Sequence, residues 1–441
     1  MSEKVIILGG GLQGMVVGER LQSNGFDVTI VEKSNALGGM CRTKIRYTDA
    51  GNNLYDLGPH KFATRQSIAE RYYFDMVYRS NKVDILSHIY LNGKWLSYPV
   101  KIFEILKAFP YHGVRCGIDF MLAHLKNDGE TYESYIKSRM GSHTYDFVFK
   151  DFASKIWGGG PGFLDSELAR TRVVTPTILD IISGIIFGDK TTFKSFYYPI
   201  FGMGDFLREI EEKFDHGDGK VLLNSTLKLY DGKKAIITTQ DGVKEFDDPI
   251  IISTIKPRDL IIPMGLGDSA NHLFYRDIHL FYYLVSSGYV KDTWDFFPSK
   301  DVVFNRVSRN FSPHMTDDGY DIVCVEVTTD EGIKVDTDKV FNDFTKMYGI
   351  KYNHVFGSWY DKLEGAYPVY HVGFGDDVSE ILTEIESNGR VFCIGRHACH
   401  NYNNMDHCIV EAIDLGKDII NGSMSDLWGI RRENYNWVIV D

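Results

Sequence analysis

A chain of 441 residues, 44% hydrophobic and 14% aromatic, is long enough for two or three structural regions with a large buried core. Its formal net charge of −12 argues against nucleic acid as the main partner, but leaves room for a phosphorylated substrate held by a local cluster of arginines. The six cysteines form no CxxC pair and no dense framework, which points to reduced thiols in a cytoplasmic enzyme.

The chain opens with an apolar run, Val5-Ile6-Ile7-Leu8, the composition of a strand buried on both faces of a parallel sheet. A strand this early leaves no room for a signal peptide. Gly9-Gly10-Gly11-Leu12-Gln13-Gly14 follows. A helical pattern through Met15, Val16, Val17 and Leu21 then stops near Asn24-Gly25. A second β-branched run at residues 28–31 ends at Glu32. This strand–helix–strand unit opens a dinucleotide-binding fold. Gly9 allows the tight turn, Gly11 leaves the pyrophosphate unobstructed, and Gly14 lets helix and strand pack closely. Leu12 and Gln13 lie in the turn at the helix N-terminus, which faces the phosphates. Glu32, followed by Lys33, stands where a carboxylate accepts the hydroxyls of an adenosine ribose.

Gly38-Gly39-Met40-Cys41-Arg42 comes soon after the acid, and Gly58-Pro59-His60 follows the next extended stretch. An acid followed by Gly-Gly-x-x-Arg, with a Gly-Pro-His turn, resembles the large family of FAD enzymes that includes amine oxidases, protoporphyrinogen oxidase and UDP-galactopyranose mutase. The resemblance implies bound FAD, with Gly39, Met40, Arg42, Gly58 and His60 beside it. On the residues alone, a solvated Arg42 and a His60 that merely shapes a turn stay open.

A helix is expected over residues 66–79, then two extended stretches, 83–86 and 88–91, at the hairpin turn Asn92-Gly93. Residues 101–152 read as mostly helical, broken at Pro110, Gly113, Gly129 and Gly141. Residues 152–161, with Trp157, read as a loop. A helical segment begins at 166–172. The apolar stretch at 178–187 is short and carries Asp180, so it reads as a buried or substrate-side helix and not as a membrane span. A helix over 205–214 has Asp205 as its expected N-cap. Strands alternate with turns from 221 to 252, and 250–254 returns to the nucleotide sheet. Antiparallel strands are expected at 279–285, 302–307 and 322–328, a helix at 338–348, a buried strand into a loop at 390–396, and a last helix at 407–420.

The strand–loop–helix from Gly395 to about residue 420 has the form of the second half of an FAD site. Its helix N-terminus would face the flavin, with Gly395, Arg396, Asn404, Met405 and Asp406 nearby. Asp406 is either a helix cap or a ribityl contact. His397, His400 and His407 stand close to Cys393, Cys399 and Cys408, but not at zinc-knuckle spacings, so no metal is expected.

The order Trp157, Arg170-Thr171-Arg172, Tyr197-Tyr198-Pro199, Asn305-Arg306, Tyr367-Pro368 and Gly395-Arg396…Tyr402-Asn403-Asn404-Met405 is similar to UDP-galactopyranose mutase and its polysaccharide-cluster relatives. The resemblance implies that Arg172 and Arg306 grip a substrate diphosphate, that Tyr367 and Tyr402 hydrogen-bond it, and that Trp157 lies near sugar and flavin; His60 joins this catalytic set. Core packing for the aromatics and ion pairing for the arginines stay open. Asn404 and Arg309 stand where the mutase pattern has acids, and the charge at Arg309 suggests a substrate other than UDP-galactose.

The expected architecture is α/β. A Rossmann-like FAD domain (1–90, 196–260 and 386–441) is interrupted by a mainly helical insertion (91–195) and an antiparallel-sheet substrate domain (261–385). The implied activity is a sugar-nucleotide mutase using reduced FAD to interconvert pyranose and furanose forms. NAD(P)H or a flavin reductase would be the electron source, and a homodimer stays open. The alternative is an FAD-dependent oxidase or desaturase of the amine oxidase type. Bound FAD makes the purified protein yellow, and Gly11→Asp, which sets a carboxylate against the pyrophosphate, is expected to abolish the colour. Wild-type protein that stays colourless after reconstitution with FAD overturns the reading.

Overall fold

The computed structural model describes residues 2–100, 102–123, 128–160, 162–173, 193–267 and 269–422; the apolar stretch at 178–187 lies outside them. The nucleotide unit forms as its sequence pattern demands. Strand Lys4–Leu8 leads into helix Leu12–Gln22 and strand Asp27–Val31. These strands are central in a five-stranded sheet in the order Val391–Cys393, Ile250–Ser253, Lys4–Leu8, Asp27–Val31, Lys220–Leu222, with every pair parallel. Its strands come from distant parts of the chain. The three interior strands are short β-branched runs, buried almost throughout on both faces. Val16, Val17 and Leu21 of the first helix pack with Ile210 and Phe214 of helix Met203–His216 and with Ile409, Ala412 and Ile413 of helix Met405–Ile420. Each of these Val, Leu, Ile and Phe side chains contributes about 1.5–3 kcal/mol by leaving water.

A three-stranded antiparallel ribbon (Thr226–Tyr230, Lys234–Thr239, Gly242–Asp247) flanks this unit, and a seven-stranded sheet forms the second body. Its order is Val355–Pro368, Tyr275–Ser286, Tyr320–Asp330, Arg306–Arg309, Trp294–Phe296, Ser87–Leu91, Lys94–Ser97. All neighbours are antiparallel except Trp294–Phe296, which runs parallel to Ser87–Leu91. Helix Thr337–Tyr348 packs through Phe344 against Tyr283 of this sheet.

Several sequence expectations shift here for physical reasons. The hairpin about Asn92-Gly93 joins Ser87–Leu91 to Lys94–Ser97, because both turn residues have positive φ (46° and 83°) and the two-residue turn pairs its immediate flanks. The stretch at 83–86 therefore does not take part; strand Ser80–Asp84 pairs with Ser195–Pro199. Gly113 does not break a helix. It lies inside helix Pro110–Ala123, where a Cβ would press within 2.8 Å of Leu106 Cα, so the glycine permits close packing against helix Ile102–Ala108. Residues up to Trp157 are helical and not a loop, since helix Lys150–Trp157 ends only at Gly158 with φ 69°. The strand expected from 302 starts at Arg306 instead. The Phe297, Ser299 and Val302 carbonyls turn to the Lys155 ammonium at 2.9, 2.8 and 2.8 Å.

Asp205 is not the cap of its helix. Gly202 holds that position, and the helix start is satisfied from outside. The Asp56 carboxylate, at the end of hairpin Thr43–Thr48/Gly51–Asp56, accepts the Met203 amide through both oxygens at 3.1 Å, while Thr43 Oγ1 accepts from Gly204 N at 2.7 Å. Asp56 also accepts from the Tyr198 hydroxyl at 2.6 Å and from Thr43 Oγ1. Burial pushes its carboxyl up to about 6 although these donors pull it down. Asp56→Ala leaves these donors buried without their acceptor, and a loss of about 2–4 kcal/mol is expected. The measurement is the urea unfolding midpoint; an unchanged midpoint contradicts this account of the helix start.

Candidate active site

The turn after the first strand is built from glycines that touch. Gly9 has φ 101°, and a Cβ on Gly14 would overlap the Gly9 carbonyl oxygen. Gly38 N donates to Gly10 O at 2.7 Å, and a Cβ on Gly39 would come within 3.0 Å of Gly11 Cα. Gly11 itself opens outward: nothing lies nearer its Cβ position than Gly39 Cα at 3.9 Å. The first helix has no side-chain cap and no acid in its first turn. A cradle that a side chain would fill, facing uncapped amides, suits a phosphate.

Glu32, buried, clamps this turn. One carboxylate oxygen accepts from Gly10 N and the other from Ser34 N, both at 2.8 Å. Each oxygen keeps a second lone pair for a hydroxyl. Lys33 is exposed. The Leu12 side chain belongs to the core. Gln13 Nε2 donates to Glu411 Oε2 of the last helix at 2.8 Å, and a Cβ on Gly395 (φ 90°) would overlap Gln13 Oε1. These two residues join the helices side by side.

The last helix starts at Met405 and its cap is Asn404, in a reciprocal pair with His407: the Asn404 amide donates to His407 Nδ1 at 3.2 Å. Asp406 is therefore not the cap. It accepts from Thr64 Oγ1 at 2.8 Å and ties the helix start to the chain just past His60. Gly58 is pinned from behind, its amide donating to the Tyr282 hydroxyl at 3.0 Å.

Between the two bodies lies a cleft lined by Met40, Gly58, His60, Arg172, Arg306, Tyr367, Arg396, Tyr402, Asn404, Met405 and Asp406 among others. The sequence singled out every one of these. The guanidinium of Arg172 lies 4.1 Å from the centre of the Tyr402 ring and that of Arg396 lies 4.6 Å from it. Arg396 is held in place by the Asn403 carbonyl, to which Nε donates at 3.1 Å. Tyr367 and Tyr402 pack with centroids 5.0 Å apart, and Trp157 backs both at 5.6 and 5.0 Å. Trp157 does not line the cleft itself. Arg306 makes a two-pronged ion pair with Glu326, Nε to Oε1 at 2.6 Å and Nη2 to Oε2 at 2.8 Å. Burial and its arginine neighbours Arg396 and Arg306 push His60 down to about 4, so its imidazole is neutral at pH 7, and its Nδ1 is buried without a hydrogen-bond partner. The Nε of Arg42 is likewise buried and unpartnered.

Sequence reasoning missed Lys61, Glu326, Trp294 and Phe296, which also line the cleft. Lys61 immediately follows the Gly-Pro-His turn and lies 4.7 Å from the Trp294 ring centre. Glu326 faces Arg306 across a strand pair, a register that no local pattern carries. Arg309 is not a cleft residue. It sits three places along the strand from Arg306, and its Nε donates to the Lys291 carbonyl at 3.3 Å, so its charge gives no argument about the substrate. The histidines near the chain's end are separately engaged. His400 Nε2 meets the Val369 carbonyl at 3.1 Å, and burial pushes His397 down to about 3. They do not converge on a metal position among the described residues.

Fold and cleft define a Rossmann-type α/β protein with a cation-rich cavity beside the nucleotide turn. An NAD(P)-binding Rossmann-like family model matches residues 7–75. The chain is 26% identical over 180 residues to a "Probable UDP-galactopyranose mutase" of Klebsiella pneumoniae, a match covering 38% of this chain and only 44% of that protein. The solved structure of reduced UDP-galactopyranose mutase superposes with a TM-score of 0.83 at 17% identity, covering 98% of both chains. Wild-type putrescine oxidase bound to putrescine superposes with a TM-score of 0.65 at 12% identity, covering 96% of this chain and 99% of that one. At these identities the structural likeness is one of fold.

The His60 environment has a measurable consequence. Its folded value of about 4 lies below the ordinary 6.5, so its neutral form favours folding above pH 6.5, and that stability is lost as the pH falls from 6.5 through 4. His60→Gln is expected to reduce the fall in unfolding free energy between pH 7 and pH 4 by about 3 kcal/mol. Parallel pH-dependent urea curves for the two proteins contradict it.

Proposed function

We propose that this protein is an FAD-dependent mutase that interconverts the pyranose and furanose forms of a nucleotide-diphosphate sugar. The observation that carries the reading is the pair of guanidiniums over Tyr402, with Tyr367 and Arg306 in the same cleft, next to a dinucleotide turn. Such a set suits a diphosphate, which takes charge-assisted bonds from guanidinium and phenol donors. The family likeness to the Klebsiella mutase supports the same substrate class.

In this reading Gly9, Gly11 and Gly14 with the first helix hold the FAD pyrophosphate, Glu32 the ribose, and Arg42, His60 and the N-terminus of the last helix the flavin end. Reduced flavin, when bound, supplies a nucleophile and ends the cycle at the same redox level. The chain's own residues do the rest. Arg172 and Arg396 bind the leaving diphosphate, and the aromatic stack fixes their planes. Glu326 fixes the plane of Arg306 and leaves its Nη1 edge for an anion. Tyr367 and Tyr402 donate hydroxyls, and neutral His60 offers an unpartnered nitrogen without adding charge. NAD(P)H or a flavin reductase would supply the electrons.

The test uses dithionite-reduced protein under anaerobic conditions with UDP-, GDP- and TDP-sugars. The expected result is an isomer of identical mass, with Arg172→Ala weakening sugar-nucleotide binding by about 1.5–3 kcal/mol and leaving bound FAD in place. Binding without isomerisation, together with substrate-dependent bleaching of oxidised protein and peroxide formation, makes it an oxidase instead.

A further inference from the structure

Strand Trp294–Phe296 turns Trp294 and Phe296 to the cleft, so Asp295 between them faces the opposite side of the sheet. Asp295 is 2% exposed. Its Oδ2 accepts the Tyr348 hydroxyl at 2.6 Å, but its Oδ1 is buried with no hydrogen-bond partner. Directly across the parallel pair stands His88, and Asp292 lies just before the strand. His88 Nδ1 and Asp292 Oδ2 are 2.6 Å apart, and the ligand atoms offered by His88, Asp292 and Asp295 all lie within 4.8 Å of one another. Two carboxylates side by side repel unless a proton or a cation sits between them.

We propose that His88, Asp292 and Asp295 form a binding site for one divalent transition-metal ion. One imidazole nitrogen and two carboxylate oxygens are the donor set of Zn²⁺ or Mn²⁺, whereas Ca²⁺ and Mg²⁺ take oxygen alone. Three protein ligands leave a position for water, and the His88 side chain, 41% exposed, gives the ion its way in. Ligand bonds of about 2.0–2.2 Å set ligand atoms about 3–3.5 Å apart, so the His88–Asp292 contact opens by about 0.4–0.9 Å and the wider pairs of the trio draw in. A half-exposed ring can make that movement by rotating about its side-chain bonds. Tyr348 holds the second Asp295 oxygen and orients the ligand, as outer-shell partners do. The ion would tie strand Ser87–Leu91 to strand Trp294–Phe296 and brace the cleft wall against which Lys61 lies. This site is independent of the catalytic reading.

The test is calorimetric titration of the full, untagged, chelator-stripped protein with ZnCl₂ and with MnCl₂. One site per chain is expected for at least one of the metals. Asp295→Asn and His88→Gln are each expected to weaken it at least ~10-fold without changing bound flavin absorbance. The metal is also expected to raise the thermal midpoint of the wild type and not that of the variants. His88 is partly exposed, so its variant carries the test if Asp295→Asn does not fold. Absence of stoichiometric binding in the wild type overturns the proposal and leaves a proton-sharing carboxylate pair. So does unchanged affinity in His88→Gln.

Discussion

The structure depends on how closely the first helix can approach its surroundings. Gly14 brings it against the Gly9 carbonyl, and Gly38 and Gly39 bring a second turn against the first. On the other flank, Gln13 reaches Glu411, which also accepts from Asn403 Nδ2 at 3.1 Å. The Asn403 carbonyl in turn holds Arg396. One chain of buried hydrogen bonds therefore runs from the nucleotide turn to the guanidinium beside Tyr402. Buried networks of this kind are rigid only when every member is satisfied, and here Glu411 carries a carboxylate into the core to satisfy two amides. The glycine turn and the arginine-lined end of the cleft are one assembly, joined across nearly the whole length of the sequence.

The second body contributes by register. Arg306 meets Glu326, and Trp294 meets the cleft, because antiparallel and parallel pairs set which residues stand opposite. A slip of one residue would turn Asp295 into the cleft and Trp294 out of it. Long strands such as Tyr275–Ser286, buried almost throughout between two partners, make that slip costly.

This division explains what could be read from the residues. The nucleotide unit was legible because its signals are local: glycines at fixed offsets, an apolar strand, an amphipathic helix, an acid. The cleft residues carried by motifs, such as Gly58, His60, Arg396 and Met405, were legible for the same reason. The helix start at Met203 was not, because its first amide is satisfied by Asp56, far away in sequence, and a local Asp205 looked sufficient. Nor was the distinction between Arg306 and Arg309. The two are alike in sequence, but only one faces the cleft, and its partner Glu326 is set by strand pairing. Gly113 misled because a glycine that permits helix packing reads the same as one that ends a helix.

Charge balance links these points to chemistry. The cleft is lined by four cations, Lys61, Arg172, Arg306 and Arg396, and two carboxylates, Glu326 and Asp406. His60 adds nothing at pH 7, because burial and its arginine neighbours hold it neutral. Among the described lining residues the cations outnumber the carboxylates by two, with Leu57, Phe62, Trp294 and Phe296 in the same wall, inside a protein whose net charge is −12. A low-dielectric wall focuses such a field, and an acidic exterior weakens it for anions passing elsewhere on the surface. Such an excess of cations favours an anion over a cation in the cleft. The same count gives Glu326 its meaning. Its two-pronged ion pair balances the charge of Arg306 in the same cleft where Arg172 and Arg396 stack on Tyr402.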